Sequence, residues 1–235
     1  MHERLYTSAG RSRSTNVHVL RYSRSVSTPR SDRRQTDTAQ RVRDMATQLF
    51  FTHGYSATSV RQIMQACHVT GGSFYNHFDS KEDLLYAILM GSLNDSVASL
   101  HHALATADDD ATSQLRALVR TISTFHSERQ LEGLVSQTEW RHLPAERAAD
   151  VLEQQKRIRR LFESCLQRGI EDGDFTLAAA GVDPDITAKS ILDLCINAGK
   201  WFRPEGRLDS AALARQHVEL VTQMVGARRE ERDDR

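Results

Sequence analysis

Residues 58–81 of this chain read TSVRQIMQACHVTGGSFYNHFDSK, and this stretch decides the fold. Thr58 is a suitable helix N-cap, since its hydroxyl can accept a backbone hydrogen bond. The apolar residues that follow it at helical spacing are Val60, Ile63, Met64 and Cys67. A break at residues 67–69 separates this helix from a second one, which can begin behind Thr70 and end before Phe78 returns to the core. Two short helices joined by a tight turn predict a helix-turn-helix, whose second helix enters the major groove of DNA.

Two adjacent glycines open the second helix and favour a DNA reader over a plain helical hairpin. A glycine in a helix interior costs about 1 kcal/mol relative to alanine, so stability alone would select against Gly71 and Gly72. Close approach to a sugar-phosphate strand would explain the bare backbone. The side chains that can donate or accept hydrogen bonds there are Thr70, Ser73, Tyr75, Asn76 and His77. The sequence therefore predicts a nucleic-acid contact along this helix.

Longer helices are predicted on both sides of the motif. Ser80 and Asp83 form a capping box that opens the following helix, whose positive end, with Lys81 on it, could hold a phosphate. Ahead of the motif, residues 36–53 have the apolar rhythm of a helix with one buried face, starting at Thr36 or Asp37. Gly54 ends that helix as a C′ residue.

The net charge of zero conceals a basic end, because residues 1–43 contain ten arginines against three acidic residues. Residues 1–35 are rich in Ser and Arg and show no sustained apolar period, so we expect a disordered basic arm. Such an arm could add phosphate contacts that do not depend on sequence. A mitochondrial transit peptide and a misassigned start codon are the alternatives.

The run from Thr36 to Leu85 resembles the DNA-binding domain of TetR-family transcriptional regulators. The pattern of that family is a helix ending in Gly, then T-[ST]-V-x-x-I, then V-[ST]-x-G-x-[LF]-Y-x-H-F-x-[SN]-K-E-x-L. Gly71 departs from it, because the family often has Lys there, so one family contact to phosphate or base is missing. The matching residues are Gly54, Thr58, Ser59, Val60, Ile63, Val69, Thr70, Gly72, Phe74, Tyr75, His77, Phe78, Ser80, Lys81, Glu82 and Leu84.

The resemblance implies how the motif is used. A homodimer would place two recognition helices about 34–36 Å apart on a pseudo-palindromic, double-stranded DNA operator. A small-molecule effector would release the DNA, and most members of the family are repressors. The expected DNA-binding residues are Arg43, Thr58, Arg61, Thr70, Gly71, Gly72, Ser73, Tyr75, Asn76, His77 and Lys81.

The rest of the chain predicts a second helical domain. Its first helix, over residues 84–100, is the covalent route out of the DNA-binding unit, and the resemblance implies that it pivots when ligand binds. Helices follow over residues 115–125 and 131–140. Pro144 breaks the series, and a long helix covers residues 145–173.

The last two predicted helices, residues 186–202 and 210–225, carry more apolar surface than one core contact needs. The resemblance implies that they pair with their copies in a second subunit as a four-helix bundle. The linker WFRPEGRL, residues 201–208, resembles a W-[FY]-x-P-x-G-x-L junction of TetR-type regulators of lipid and steroid catabolism, some of which respond to acyl-CoA thioesters. It therefore implies a lipid-derived or acyl-CoA effector.

The effector pocket has no compact motif. Aromatic residues within the second domain could line it, although core packing explains them as well, and a cation near the linker could pair with a phosphate. The expected ligand-binding residues are Phe125, Trp140, Phe162, Lys200 and Trp201.

Two other classes of protein stay open. Glu139 and His142 form a Glu-x-x-His pair, which on an inward helix face can be half of a di-iron carboxylate site, but a complete site needs a second such pair and the sequence has none. An interaction module that kept the helix-turn-helix shape without DNA affinity is the other alternative. We expect no catalytic residue, no metal and no cofactor.

We therefore expect an all-α protein with four parts: a disordered basic arm (1–35), a DNA-binding domain (36–82), a ligand-binding and dimerisation domain (83–226) and a charged tail (227–235). Three widely separated cysteines predict buried free thiols rather than disulfides. No stretch approaches the ~20 apolar residues that cross a bilayer. The expected location is the cytoplasm, at the nucleoid.

Overall fold

The computed structural model describes residues 30–177 and 181–227, with side chains from residue 37 onward. Every regular element in these residues is helical, so the predicted all-α fold is confirmed. The α-helices are α1 (Arg30–His53), α2 (Val60–Cys67), α3 (Gly71–Tyr75), α4 (Lys81–Thr106), α5 (Ala111–Glu128), α6 (Gln130–Thr138), α7 (Ala145–Glu171), α8 (Pro184–Asn197) and α9 (Ser210–Met224), and 3₁₀ turns cover Glu139–His142 and Ala198–Lys200.

Helix α1 begins at Arg30, before the predicted start, so the last part of the predicted disordered arm is helical. The rest of that arm and the charged tail beyond residue 227 lie outside the described residues. Val42, Ala46 and Phe50 form the fully buried stripe of α1. Gly54 ends the helix with φ at +81°, and its N–H donates to the Phe50 carbonyl at 2.9 Å. The predicted C′ glycine is confirmed.

The N-cap of α2 is Ser59 and not Thr58, so that prediction is wrong. The Ser59 hydroxyl accepts from Gln62 N at 3.2 Å, and Gln62 Oε1 accepts from Ser59 N at 2.7 Å. Thr58 is 2% exposed and its hydroxyl donates to the Gly54 carbonyl at 2.8 Å. Its side chain thus ties the loop back to the end of α1 rather than capping the next helix.

Helix α4 runs from the N-terminal unit, α1–α3, into the C-terminal unit, α4–α9. Its predicted N-cap is confirmed, because the Ser80 hydroxyl accepts from Asp83 N at 3.0 Å. The reciprocal bond goes to the preceding residue, since Asp83 Oδ2 accepts from Asp79 N at 3.3 Å. Beyond it, α5 occupies the centre of the C-terminal unit, with α4, α7, α8 and α9 packed on it.

The end of α7 depends on a close contact at a glycine. Phe175 N donates to the Gly169 carbonyl at 2.9 Å, and the Phe175 ring lies where a Cβ on Gly169 would project. Both residues are buried. A bare backbone at Gly169 therefore lets the chain fold back under α7.

The three cysteines are buried free thiols, as predicted. Burial raises the pKa of Cys165 to about 11 and that of Cys195 to about 12. No helix in the described part of the chain is both long and apolar enough to span a membrane.

Candidate nucleic-acid interface and ligand cavity

Helix α3 is a short helix held by its aromatic side and open on its polar side. Phe74 is fully buried and Phe78 is 4% exposed, and their ring centroids lie 5.7 Å apart. The Thr70 hydroxyl accepts from Ser73 N at 3.3 Å, which confirms the predicted N-cap. Tyr75 is 57% exposed. The buried rings therefore fix the helix while its other face is presented to solvent.

The two glycines of α3 are not required by packing inside the protein. An added Cβ on Gly72 would meet nothing within 4 Å, and one on Gly71 would reach only Met64 Sδ at 4.0 Å. Neither glycine has a positive φ. Alanine would fit both positions and is the better helix former, so contacts among the described residues do not explain the glycines.

The turn between α2 and α3 is fixed by backbone and side-chain bonds. His68 adopts a left-handed conformation with φ at 55°, and its N–H donates to the Gln65 carbonyl at 3.2 Å. Arg41 of α1 reaches across and donates from Nη2 to the Cys67 carbonyl at 2.7 Å. The predicted break at residues 67–69 is therefore a rigid turn that sets α3 against α2.

The structure places Lys81 on the protein's own backbone and not on an open phosphate-binding surface. Its Nζ donates to the Tyr55 carbonyl at 2.8 Å and to the Thr58 carbonyl at 2.7 Å. The ammonium also lies 4.1 Å from the centroid of the Tyr55 ring, and burial lowers the pKa of Lys81. Thr58 and Lys81 therefore support the loop before α2, and their expected contacts with DNA stay a prediction.

Arg43 contacts its own helix and lines a cleft beside α4, and its expected contact with DNA stays a prediction. Its Nη2 donates to Gln40 Oε1 at 2.7 Å. It lines a cleft of about 350 Å³ between α1 and α4, together with Gly91 and Asp95. Among the residues expected at the DNA, Thr58 is buried, and the exposed or partly exposed ones are Arg43, Arg61, Thr70, Gly71, Gly72, Ser73, Tyr75, Asn76, His77 and Lys81.

The C-terminal unit contains a partly open cavity of about 560 Å³ among α4, α5, α6, α7 and α8. Its apolar walls include Leu93, Phe125, Trp140, Ile158 and Leu192. His126 also lines it, and burial lowers the pKa of this imidazole to about 4, so the ring is neutral at pH 7. A more open groove of about 930 Å³ between α4 and α5 is lined largely by small and polar side chains. The 560 Å³ cavity is therefore the better candidate for an apolar ligand.

Three residues that line this cavity each carry a buried polar atom without a partner. Ser96 Oγ, Ser136 Oγ and Gln137 Nε2 are buried and make no hydrogen bond within the described chain. Unsatisfied buried polar groups are costly and rare in folded proteins. Three cations line the same cavity, each near a carboxylate: Lys156, Arg159 and Lys189. The cavity can thus bind an apolar group that carries polar or anionic substituents.

Two of the five expected ligand-binding residues, Phe125 and Trp140, line this cavity. Phe162 is fully buried and belongs to the core, so its expected role is corrected. Trp201 is 58% exposed, and neither it nor Lys200 is among the residues around the cavity. Sequence reasoning missed the serines, although Ser92 and Ser96 interrupt the apolar face of α4 one turn apart and could have drawn notice.

The Glu-x-x-His pair does not form part of a larger group of metal ligands. Glu139 Oε2 lies 3.3 Å from His142 Nε2. Within the described ranges no three His, Cys, Asp or Glu side chains are grouped closely enough to hold a metal ion. Instead, Glu139 Oε2 accepts from Tyr55 N at 3.4 Å, so the pair connects the two units of the fold.

A short exposed helix set on a two-helix scaffold, joined by α4 to a helical unit with an internal cavity, defines a helix-turn-helix regulator with separate DNA-facing and ligand-facing parts. Two family models match the chain: "Bacterial regulatory proteins, tetR family" over residues 42–88, and "Tetracyclin repressor-like, C-terminal domain" over residues 108–225.

Similar proteins agree with both models. The transcriptional repressor KstR2 of Rhodococcus jostii is 32% identical over 179 residues, which cover 76% of this chain and 86% of that protein. A solved tetR-family regulator from Rhodococcus RHA1 is 29% identical, with a TM-score of 0.74 over 82% of this chain and 98% of the other. AibR, solved with isovaleryl coenzyme A and operator DNA, shares the fold at 24% identity, with a TM-score of 0.68 over 81% of this chain and 100% of the other. The chain belongs to the TetR family of helix-turn-helix transcriptional regulators.

Proposed function

We propose that this protein is a homodimeric transcriptional repressor that binds a pseudo-palindromic operator and leaves it when a small molecule fills the C-terminal cavity. The DNA-binding domain would be residues 36–82, and the ligand-binding and dimerisation domain residues 83–226. It would act in the cytoplasm on nucleoid DNA. The observation that carries the proposal is the open face of α3, where Gly71 and Gly72 lack side chains although no contact within the described part of the chain requires glycine.

The DNA contacts in this proposal come from the exposed side of the motif. The α3 backbone can approach a strand at the two glycines, while Tyr75 and Asn76 reach phosphates or base edges. Arg61 of α2 is exposed and would pair with a phosphate. The similarity to the repressor KstR2 supports repression as the mode of control.

Dimerisation would use α8, α9 and the segments beside them. Five of the eight large hydrophobic side chains that are exposed in the described residues lie there: Val182, Ile186, Trp201, Leu220 and Met224. Clustered apolar exposure marks an interaction surface more often than scattered exposure does. A second copy of the same surface would bury it and set the two α3 helices about 34–36 Å apart on DNA.

The effector would be a lipid-derived molecule or an acyl-CoA thioester. Leu93, Phe125 and Trp140 offer an apolar surface for an acyl group, while Lys156 and Arg159 could pair with phosphates at the rim. AibR provides a structural parallel, since it was solved with isovaleryl coenzyme A and operator DNA. Ser96 on α4 and Ser136 on α6 could bond polar atoms of the ligand.

The test is DNA binding by the full chain and by a matched pair of variants. The probe is a fluorescent duplex that the protein itself selects from a random library, titrated at low salt. Tyr75→Ala with Asn76→Ala should weaken binding by about 1–3 kcal/mol, because both side chains would contact the duplex. Arg157→Ala, an exposed charge on α7, should bind as the wild type does.

The same titration tests the effector. Isovaleryl-CoA and longer acyl-CoAs are added to the preformed complex, and release of the duplex at saturating ligand is the expected result. If the protein selects no duplex at low salt, or if the α3 variant binds as tightly as the wild type, the proposal fails.

A further inference from the structure

The loop between α1 and α2 is held from outside its own unit by the 3₁₀ turn Glu139–His142. Tyr55 N donates to Glu139 Oε2 at 3.4 Å, across 84 positions of sequence. The Tyr55 ring stacks on the His142 imidazole, with centroids 5.1 Å apart and an interplanar angle of 28°. Glu139 and His142 also contact each other at 3.3 Å. Loop and turn therefore meet through a backbone bond and a ring contact.

On its other side, the same tyrosine is connected to the residues just before α2. Its ring packs edge-on against Phe50 of α1, with centroids 5.3 Å apart. Its carbonyl shares the Lys81 ammonium with the Thr58 carbonyl, and Thr58 directly precedes the α2 N-cap, Ser59. A displacement of Tyr55 would thus move the start of α2, and with it the turn that orients α3.

The Glu139–His142 turn also forms part of the cavity wall. Trp140, its second residue, lines the cavity, and so do Ser136 and Gln137 of the helix turn before it. Ser136 Oγ and Gln137 Nε2 lack partners in the described chain. A ligand that bonds them or displaces Trp140 would act directly on the turn that supports Tyr55.

We infer that the Glu139–His142 turn is a positioning element for the helix-turn-helix and carries the state of the cavity to it through Tyr55. The inference rests on the proposed function, since it assumes that the N-terminal unit binds DNA. It adds a second connection to the covalent one through α4. By thermodynamic reciprocity, a connection that lets the cavity affect DNA binding must also let DNA binding affect the cavity.

The reciprocal effect can be measured without knowing the effector. The chain has two tryptophans, so Trp201→Phe leaves Trp140 as the sole reporter inside the cavity. Titration of this protein with the selected duplex should change Trp140 emission or its quenching by acrylamide, with the same midpoint as the anisotropy of the labelled duplex. In the same background, Glu139→Ala with His142→Ala should reduce that change to what α4 alone transmits, while the duplex still binds.

The control breaks a different contact, between α7 and the first turn of α4. Arg147 of α7 lies 3.3 Å from Glu82 Oε1 and from Asp83 Oδ1 of α4, and Arg147→Ala should leave the Trp140 response intact. Circular dichroism and thermal unfolding establish that each variant is folded. The inference is overturned if DNA binds and Trp140 does not respond, or if the double variant keeps the full response. If no duplex binds, the proposed function fails, and the inference fails because it rests on that function.

Discussion

The ammonium of Lys81 lies within hydrogen-bonding distance of the Tyr55 and Thr58 carbonyls and above the Tyr55 ring. The family pattern gives this residue type and spacing, and the resemblance implied a phosphate contact for it. Sequence cannot show the direction in which a flexible lysine points, because its long side chain can cover protein surface as readily as reach outward. Thr58 illustrates the same limit. Its hydroxyl donates to the carbonyl of Gly54, which precedes it, and does not cap α2, which follows it.

His126 makes stability depend on pH. Burial lowers the pKa of this imidazole from 6.5 to about 4, so the unfolded chain binds a proton between these values that the native protein does not. Stability is therefore full above pH 6.5, and the free energy of unfolding falls as pH drops towards 4. A pKa difference of this size corresponds to at most about 3 kcal/mol of the free energy of unfolding.

Urea unfolding at several pH values across this window measures the effect. His126→Gln should show a shallower dependence on pH than the wild type. The lowered pKa of His217, also a result of burial, remains in both proteins and gives them a common background. Equal slopes for the two proteins would contradict the assignment to His126.

At the scale of helices, apolar periodicity predicted the elements of the C-terminal unit because each packs one stripe on α5 or a neighbour. Pro144 and Gly173 bracketed the observed α7, and the capping serine before α4 was predicted from sequence. The start of α2 was missed by one residue because Thr58 and Ser59 are both acceptable N-caps. A tertiary bond between Thr58 and Gly54, which no local pattern contains, decided between them.

Two glycines in helices of this protein should respond to alanine in opposite ways. In Gly72→Ala the added methyl meets no protein atom within 4 Å, so α3 should gain up to about 1 kcal/mol of stability. DNA affinity should fall, because the methyl would stand between α3 and the strand. Thermal unfolding and duplex anisotropy measure the two effects separately.

Gly169→Ala is the contrasting variant. Its methyl would overlap the Phe175 ring, so the protein should lose about 1–3 kcal/mol of stability. Its DNA affinity should be unchanged at temperatures where it is folded, since α7 lies outside the proposed DNA-binding domain. A Gly72→Ala protein that binds DNA as tightly as the wild type would remove the close-approach explanation for the α3 glycines.

At the scale of the whole molecule, the sequence predicted a ligand-binding unit but not its cavity. The residues around the cavity come from five helices, and none of those helices shows by itself which side faces an enclosed space. Trp140 and Trp201 illustrate the difficulty, since both are tryptophans of the same domain with a charged residue beside them, and of the two only Trp140 lines the cavity. The assignment requires the helices to be assembled first.

The proposed dimer can be tested on the exposed apolar surface of α8 and α9. Ile186→Asp with Leu220→Asp should give monomers in sedimentation equilibrium, because two charges would be buried in a self-complementary contact. Operator affinity should fall as well, since each half-site would then be bound independently. Leu131→Asp, at an apolar position of α6 that is 38% exposed, should remain dimeric. Dimers of the double variant would place the subunit contact elsewhere.

The buried thiols have a practical consequence. Cys67 lies in the N-terminal unit, whereas Cys165 and Cys195 lie on α7 and α8, and the pKa of each is raised chiefly by burial. Since thiolate is the reactive form, an alkylating reagent reaches each sulfur only when the surrounding helices separate. The rate of labelling at each cysteine thus reports separately on transient opening of the part of the molecule that holds it.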